Sequence, residues 1–165
     1  VRSMHLGRDP ESDMNNAMEE LHKLVGITRD FPDILYSGIV ESAMQEYVEV
    51  KVLHSYTRGE ALPSHKSLGV TPEAYILGIG DVIGEIRRLA LDNIRRGTVD
   101  GAAKHLEHME MLYDFLMNFN YPSSLVGVRR KQDIARGVLE KTRGDVTNAI
   151  RSHSLERMLG RQEKC

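Results

Sequence analysis

Two pairs of acidic residues are the side chains in this sequence whose type and spacing could do chemistry. Glu46 and Glu49 lie three residues apart in "QEYVE" at 45–49, and Asp81 and Glu85 lie four apart in "GDVIGE" at 80–85. Residues three or four apart are neighbours on one face of a helix. No Lys or Arg stands at that distance from Glu46 or Glu49, and most of the other neighbours are apolar or small.

Carboxylates held this close repel one another unless a cation lies between them. Mg²⁺ and Mn²⁺ prefer oxygen ligands, and such an ion can activate a water and stabilise the leaving oxygen in phosphodiester cleavage. Two acidic helix faces therefore suggest one shared metal site. The same spacings are common on the solvated faces of charged helices, and the pattern alone favours that ordinary interpretation.

Three glycines, Gly78, Gly80 and Gly84, fall inside the second of these helical stretches. Each costs about 1 kcal/mol relative to Ala in a helix interior. We therefore expect another helix, or a ligand, to approach the backbone closely here. The stretch does not match the dinucleotide-binding fingerprint, since the glycine spacing is wrong and no strand precedes it.

Helices account for the periodicity of the whole chain. The 165 residues, 41% hydrophobic and 28% charged, fit a single domain over 1–165 with a real core. Apolar spacings of three and four predict helices over about 14–28, 32–58 and 71–97, then one capped by Asp100 that stops before Pro122, and one from about Ser124. No strand-like alternation is present. The prediction is an all-α antiparallel bundle of about six to seven helices.

Charge and cysteine content restrict the partners and the compartment. The formal net charge is −2, so binding nucleic acid would need basic residues gathered on one face or concentrated by an oligomer. The one cysteine, Cys165, allows no intrachain disulfide. No apolar run is long enough to span a bilayer and no signal peptide is visible, so we expect a cytoplasmic protein that does not enter the membrane.

At the acidic segments the sequence resembles the translin family, and within it the TRAX (translin-associated factor X) branch. "QEYVE" and "YILGIGDVIGEIRRLALDNI" at 75–94 carry the resemblance, with "GTVDG" and "VRRKQD" further on. It extends from about Asp9 to Arg151. Asp92-Asn93-Ile94 departs modestly from the TRAX pattern, and the connector "RGEALPSHKSLGV" is shorter than in TRAX.

The resemblance implies a fold and an activity. Members of the family are all-helical and assemble into octameric, shell-like particles that enclose RNA. TRAX-like subunits carry a Mg²⁺-dependent endoribonuclease site that cleaves single-stranded RNA. Its acidic residues match Glu46, Glu49 and Asp81 as metal ligands, with Glu85 beside them. Translin-like subunits lack the aspartate at position 81, so Asp81 points to the catalytic branch.

The resemblance also implies RNA contacts from basic residues on the family's first helix, and "VRSMHLGR" at 1–8 is predicted to be the end of that helix. Here Arg2, His5 and Arg8 form a stripe at three-residue spacing. Arg88 is a further candidate for a phosphate contact. Pairing of Arg88 with an acidic neighbour such as Glu85 explains that residue equally well.

Two other functions stay open. One is a translin-like oligomer that binds RNA or DNA without cleaving it. The other is a di-iron bundle protein, for which Glu19-x-x-His22 supplies one copy of a motif that the fold needs from two helices. His105 and His108 are spaced for zinc, but no third ligand stands nearby in the sequence, which favours a solvated or partner-facing role.

Overall fold

The computed structural model describes residues 9–35, 37–120 and 127–162, with side chains described as far as 159. These ranges contain seven α-helices and no strand, which confirms the all-α prediction. The helices are α1 Glu11–Thr28, α2 Pro32–Leu35, α3 Gly38–Arg58, α4 His65–Leu68, α5 Pro72–Arg95, α6 Val99–Met117 and α7 Val128–Gln162.

The chain divides into two compact units. The first extends to Val82 and the second begins at Ile83, so the boundary falls inside the continuous helix α5. The single domain over 1–165 stays a prediction. Within the described helices, none is long and apolar enough to cross a membrane.

In the first unit, α1 packs along α3, and the short α2 contacts both. The apolar residues of α3 recur every three or four positions, so one face of the helix is buried. Its fully buried side chains include Val48 and Val52, and α1 contributes Met14 and Leu21 to the same interior.

The turns of the first unit follow from a few residues. Gly59 and Gly69 end α3 and α4 in the left-handed conformation, with φ of 69° and 67°. Thr71 caps α5, because the Ala74 N–H donates to its Oγ1 at 3.2 Å, and Pro72 is the first helical residue. This start of α5 is the one that the sequence predicts.

In the second unit, α6 packs closely against α7. Met109 and Leu116 on α6 and Val128 and Val146 on α7 are buried. Several hydrogen bonds also join the two helices. Gln132 Nε2 donates to the carbonyls of Leu116 and Phe119 at 3.0 and 2.8 Å, Arg136 Nε donates to Tyr113 Oη at 3.0 Å, and Arg143 Nε donates to Glu110 at 2.8 Å.

Three sequence predictions about helix limits need correction. The helix expected over 32–58 is interrupted, since Ser37 is extended with φ −72° and ψ 152° and α3 begins at Gly38. The expected connector after α3 contains α4. Asp100 does not cap α6: the N-cap is Thr98, and Asp100 lies in the first turn, where a carboxylate favours the helix dipole.

Candidate functional site

Helices α3 and α5 meet at Gly78. A Cβ added to Gly78 would lie 2.7 Å from Val48 Cγ1, 2.8 Å from Val48 Cβ and 2.9 Å from the Gln45 carbonyl oxygen. No larger residue fits without moving the backbone of α3. The close helix approach expected from the glycines is thus present at Gly78. It does not extend to Gly84, where an added Cβ meets nothing within 4 Å.

This crossing positions two of the predicted acidic residues. Glu49 directly follows Val48 on α3, and Asp81 lies three residues after Gly78 on α5. Both residues are half-buried. One helical turn advances about 5.4 Å along the axis. Glu49 and Asp81 therefore lie within one turn of the point where the backbones of α3 and α5 come closest. The structure therefore brings together the helix turns that carry Glu49 and Asp81.

Glu46 occupies a different surface. It is exposed and lines a groove of about 450 Å³ between α1 and α3, which we call the α1–α3 groove. Its other lining residues are mostly apolar, with one further carboxylate: Ala17, Glu20, Leu21, Leu24, Ala43, Tyr47 and Val50. Tyr47 is 6% exposed, and burial raises the pKa of its hydroxyl. Among the described residues the Glu46 side chain makes no hydrogen bond or ion pair.

Glu85 lies one turn beyond Asp81 on α5 and is half-buried. Its Oε2 is 4.0 Å from Nη1 of Arg88, at the outer limit of an ion pair. The pairing of Arg88 with Glu85 that the sequence allows is thus present. The Arg88 side chain is still 59% exposed, which leaves its guanidinium accessible to a phosphate.

The donor chemistry of the acidic residues suits Mg²⁺ or Mn²⁺, which prefer carboxylate oxygens. The positions of the described side chains, however, do not form a metal site in this structure. In the described part of the chain, no group of three or more His, Cys, Asp or Glu residues is placed to hold a metal ion. Among the described residues, Glu46, Glu49 and Asp81 are thus not gathered into one metal-binding group.

The other residues predicted from the sequence are the basic stripe and the possible di-iron ligands. Arg2, His5 and Arg8 lie outside the described residues. Glu19 and His22 are exposed on α1.

The histidine pair lies on α6. The His108 Nδ1–H donates to the Lys104 carbonyl at 2.7 Å. His105 is half-buried; burial, and then the neighbouring His108, lower the pKa of its imidazole.

Arg87 has a structural role that the sequence did not predict. Its side chain is 23% exposed, and its guanidinium donates to Thr142 Oγ1 at 2.8 Å and pairs with Asp145 at 2.9 Å. Thr142 is fully buried and donates in turn to the Val138 carbonyl at 2.7 Å. Arg87 therefore ties α5 to α7. Since Thr142 is 55 positions further along the chain, no local pattern could have revealed this contact.

Comparison with known proteins places these features in a family. A family model described as Translin family matches residues 6–143. The uncharacterized protein MJ0175 of Methanocaldococcus jannaschii is 37% identical over 164 residues, which is 98% of this chain and 73% of that protein.

Two solved structures are also similar. One, described as an AfC3PO–duplex RNA complex, has 35% identity and a TM-score of 0.83; the other, described as AfC3PO, has 34% identity and a TM-score of 0.81. In each case the likeness covers 92% of this chain and 80% of the other.

Proposed function

We propose that this chain, which belongs to the Translin family, is a TRAX-like subunit of a homo-octameric particle that binds RNA and cleaves single-stranded RNA with the help of a divalent metal ion. The observation that carries the RNA-binding part is the likeness to AfC3PO, a protein solved in complex with duplex RNA. A likeness at 35% identity over 92% of the chain involves sequence as well as fold.

Assembly into a particle explains how a chain with a net charge of −2 binds RNA. Backbone phosphates are bound mainly by Lys and Arg, and an oligomer can gather the basic faces of several copies around one enclosed space. The proposed contacts from this chain are Arg2, His5 and Arg8, together with the exposed guanidinium of Arg88. We place the particle in the cytoplasm.

Cleavage is assigned to the acidic residues. We propose Glu46, Glu49 and Asp81 as ligands of Mg²⁺ or Mn²⁺, with Glu85 beside them. The ion, when bound, would supply an activated water and stabilise the leaving oxygen. The crossing at Gly78 supports the pairing of Glu49 with Asp81, because it brings their two helix turns together. Glu46 would have to turn from the α1–α3 groove to join them.

Isosteric substitutions test the assignment. We expect the purified protein to cleave single-stranded RNA in Mg²⁺ and to lose cleavage in EDTA. Glu49→Gln and Asp81→Asn should each reduce the cleavage rate by roughly 10²-fold or more, the scale of removing one preorganised charged or polar group from a reaction site. RNA binding, measured by fluorescence anisotropy, should change much less. Glu73→Gln is the matched control, because Glu73 is an exposed acid on the same helix, α5.

The outcomes separate the proposal from its alternatives. Cleavage that persists unchanged in both variants and in EDTA would show that the catalytic assignment is wrong. RNA binding by the native protein without any cleavage would favour the non-catalytic translin-like oligomer. Bound iron in the purified protein, with no nuclease activity, would favour the di-iron protein.

The role of Arg88 has its own measurement. If Arg88 contacts a phosphate, Arg88→Gln should weaken RNA binding similarly for all sequences and reduce the slope of log affinity against log salt by about 1. Arg95→Gln is a suitable comparison, since Arg95 is exposed at the end of the same helix and paired with Asp92 at 3.1 Å. Equal slopes for Arg88→Gln and the native protein would remove Arg88 from the RNA contacts.

A further inference from the structure

The end of α7 carries large apolar side chains that the described part of the chain leaves exposed. Val146 is the last buried residue of this 35-residue helix up to position 159, where the description of its side chains ends. From Ile150 to Leu159 every side chain is exposed. Leu155, Met158 and Leu159 are 61%, 64% and 62% exposed. Exposed apolar side chains gathered on one face indicate an interaction surface.

These three residues have the spacing of a helix that binds in a groove. Positions i, i+3 and i+4 share one face, and amphipathic helices use this pattern as anchors. Arg151 lies one turn before Leu155 on the same face. Among the described residues the Arg151 side chain makes no hydrogen bond or ion pair, and it is exposed. We call Arg151, Leu155, Met158 and Leu159 the α7 stripe.

The α1–α3 groove has the complementary chemistry. Leu21, Leu24 and Tyr47 give it an apolar lining, and the small side chains of Ala17 and Ala43 leave room for another helix. Two carboxylates line it, those of Glu20 and Glu46. Among the residues that the structure describes, Glu20 pairs only with the exposed Lys23, three residues away, a contact worth little in water. The groove is therefore apolar and acidic, whereas the α7 stripe is apolar and basic.

We propose that the α7 stripe of one copy of this chain binds in the α1–α3 groove of a second copy. Leu155, Met158 and Leu159 fill the apolar groove, and Arg151 meets the Glu20 carboxylate. Such a contact joins two different surfaces, so each copy offers one stripe and one groove. Contacts of this type build closed rings or open chains of subunits rather than isolated pairs. The contact does not depend on RNA cleavage.

The simplest alternative is that the α7 stripes of two copies pack against each other. The charges of the residues involved favour the contact between stripe and groove instead. The acid nearest to the apolar residues, Glu156, directly follows Leu155 and so points roughly 100° away from it around the helix. Two stripes packed together would bring two Arg151 side chains to the interface without an acid from either stripe. The groove provides an acid, Glu20, that does not belong to the proposed metal site, which favours the groove as the partner.

Cross-linking between two marked copies tests the contact directly. Both copies carry Cys165→Ser; one also carries Ala43→Cys and the other Leu155→Cys, with tags of different mass. After co-expression, a short bismaleimide should link the two copies to each other. His153→Cys replaces Leu155→Cys in the control, because two residues along a helix correspond to roughly 200° and take the thiol off the stripe. Links only between two Leu155→Cys copies, or no links, would overturn the proposal.

Sedimentation velocity provides an independent readout. Met158→Asp on the stripe and Ala17→Phe in the groove should each raise the concentration needed for half-assembly by about 10-fold or more, the effect of losing one well-buried contact. Asn16→Phe, an exposed neighbour of Ala17 that does not line the groove, should leave assembly unchanged. Thermal melts followed by circular dichroism would confirm that each variant folds.

Two results contradict the contact in this experiment: a native protein that sediments as a monomer at micromolar concentration, and unchanged assembly in both Met158→Asp and Ala17→Phe. None of the substituted residues belongs to the proposed catalytic set. Failure of the cleavage assay therefore leaves this test unaffected. A monomeric native protein would also contradict the proposed particle, on which this contact rests, whereas unchanged assembly in both variants would contradict only the contact.

Discussion

The α3–α5 crossing and the α6–α7 pair hold helices together in different ways. At the crossing, Gly78 lets the backbone of α5 come so close to Val48 and Gln45 that no side chain fits between them. Between α6 and α7, longer side chains bridge the helices, such as Gln132 to two carbonyls and Arg143 to Glu110. The α3–α5 contact depends on Gly78 having no side chain, whereas the α6–α7 contact depends on polar side chains that form hydrogen bonds.

The two kinds of contact should respond differently to substitution. A packed backbone contact leaves no room for adjustment, because protein interiors are close-packed. A side-chain hydrogen bond at a partly exposed site contributes about 1 kcal/mol, and water replaces it in part when it is lost. The candidate catalytic carboxylates lie at the first kind of contact. The relative position of these carboxylates should therefore be less adjustable than the positions of the side chains between α6 and α7.

The largest effect should come from Gly78→Ala. The added methyl group would meet the Gln45 carbonyl oxygen at 2.9 Å, and backbone cannot rotate away as a side chain can. Overpacking costs about 1–3 kcal/mol and exceeds the roughly 1 kcal/mol that Ala gains over Gly in a helix. We expect the free energy of unfolding, measured by urea denaturation, to fall by about 1–2 kcal/mol. RNA cleavage should fall as well, since the helix turns of Glu49 and Asp81 separate.

Gly84→Ala is the matched control on the same helix. An added Cβ there meets nothing within 4 Å, so the substitution should stabilise the protein by up to about 1 kcal/mol. Equal effects of the two substitutions would show that the close approach at Gly78 does not constrain the fold.

A smaller loss is expected from Gln132→Glu in the second unit. The carboxylate cannot donate to the Leu116 and Phe119 carbonyls, and it brings negative charge to the C-terminal end of α6. The free energy of unfolding should fall by about 1 kcal/mol. Arg143→Gln removes an exposed pair and should cost at most about 0.5 kcal/mol. A larger loss from Arg143→Gln than from Gln132→Glu would contradict this ranking.

The smallest effect concerns pH and His105. Because burial lowers the pKa of its imidazole in the folded state, the unfolded chain binds more protons as the pH falls through the usual histidine pKa. His105 therefore contributes a loss of stability between about pH 7 and pH 5. Urea denaturation at several pH values should show a flatter pH dependence for His105→Gln than for the native protein. An equally steep pH dependence in His105→Gln and the native protein would contradict this contribution of His105.

Local signals predicted the limits of α5 correctly. Thr71 and Pro72 start α5, and Gly97, with φ of 75°, follows its end. The break before α3 was missed because the apolar spacing continues across it. Ser37 and Gly38 are the residues that could have indicated a helix start here, since Ser is a common N-cap residue and Gly tolerates many conformations.

The site could be predicted only in part for a physical reason. Spacing places Glu46 and Glu49 on neighbouring positions of one helix, but it cannot say which other helix covers each of them. In the structure α1 lies beside Glu46, and α5 crosses next to Glu49. The glycines of α5 predicted a close approach without identifying Gln45 and Val48 as the partners. Which helices meet depends on the tertiary fold.

Helix α5 has a consequence for how the protein folds. It runs unbroken through the boundary at Val82 and Ile83, and its fully buried side chains lie on both sides of that boundary, Ile79 and Val82 before it and Ile83 and Ile86 after it. Neither compact unit can complete its interior without its own part of this helix. Opening of one unit therefore frays a helix that the other unit also needs, and the two should unfold cooperatively as one thermodynamic unit.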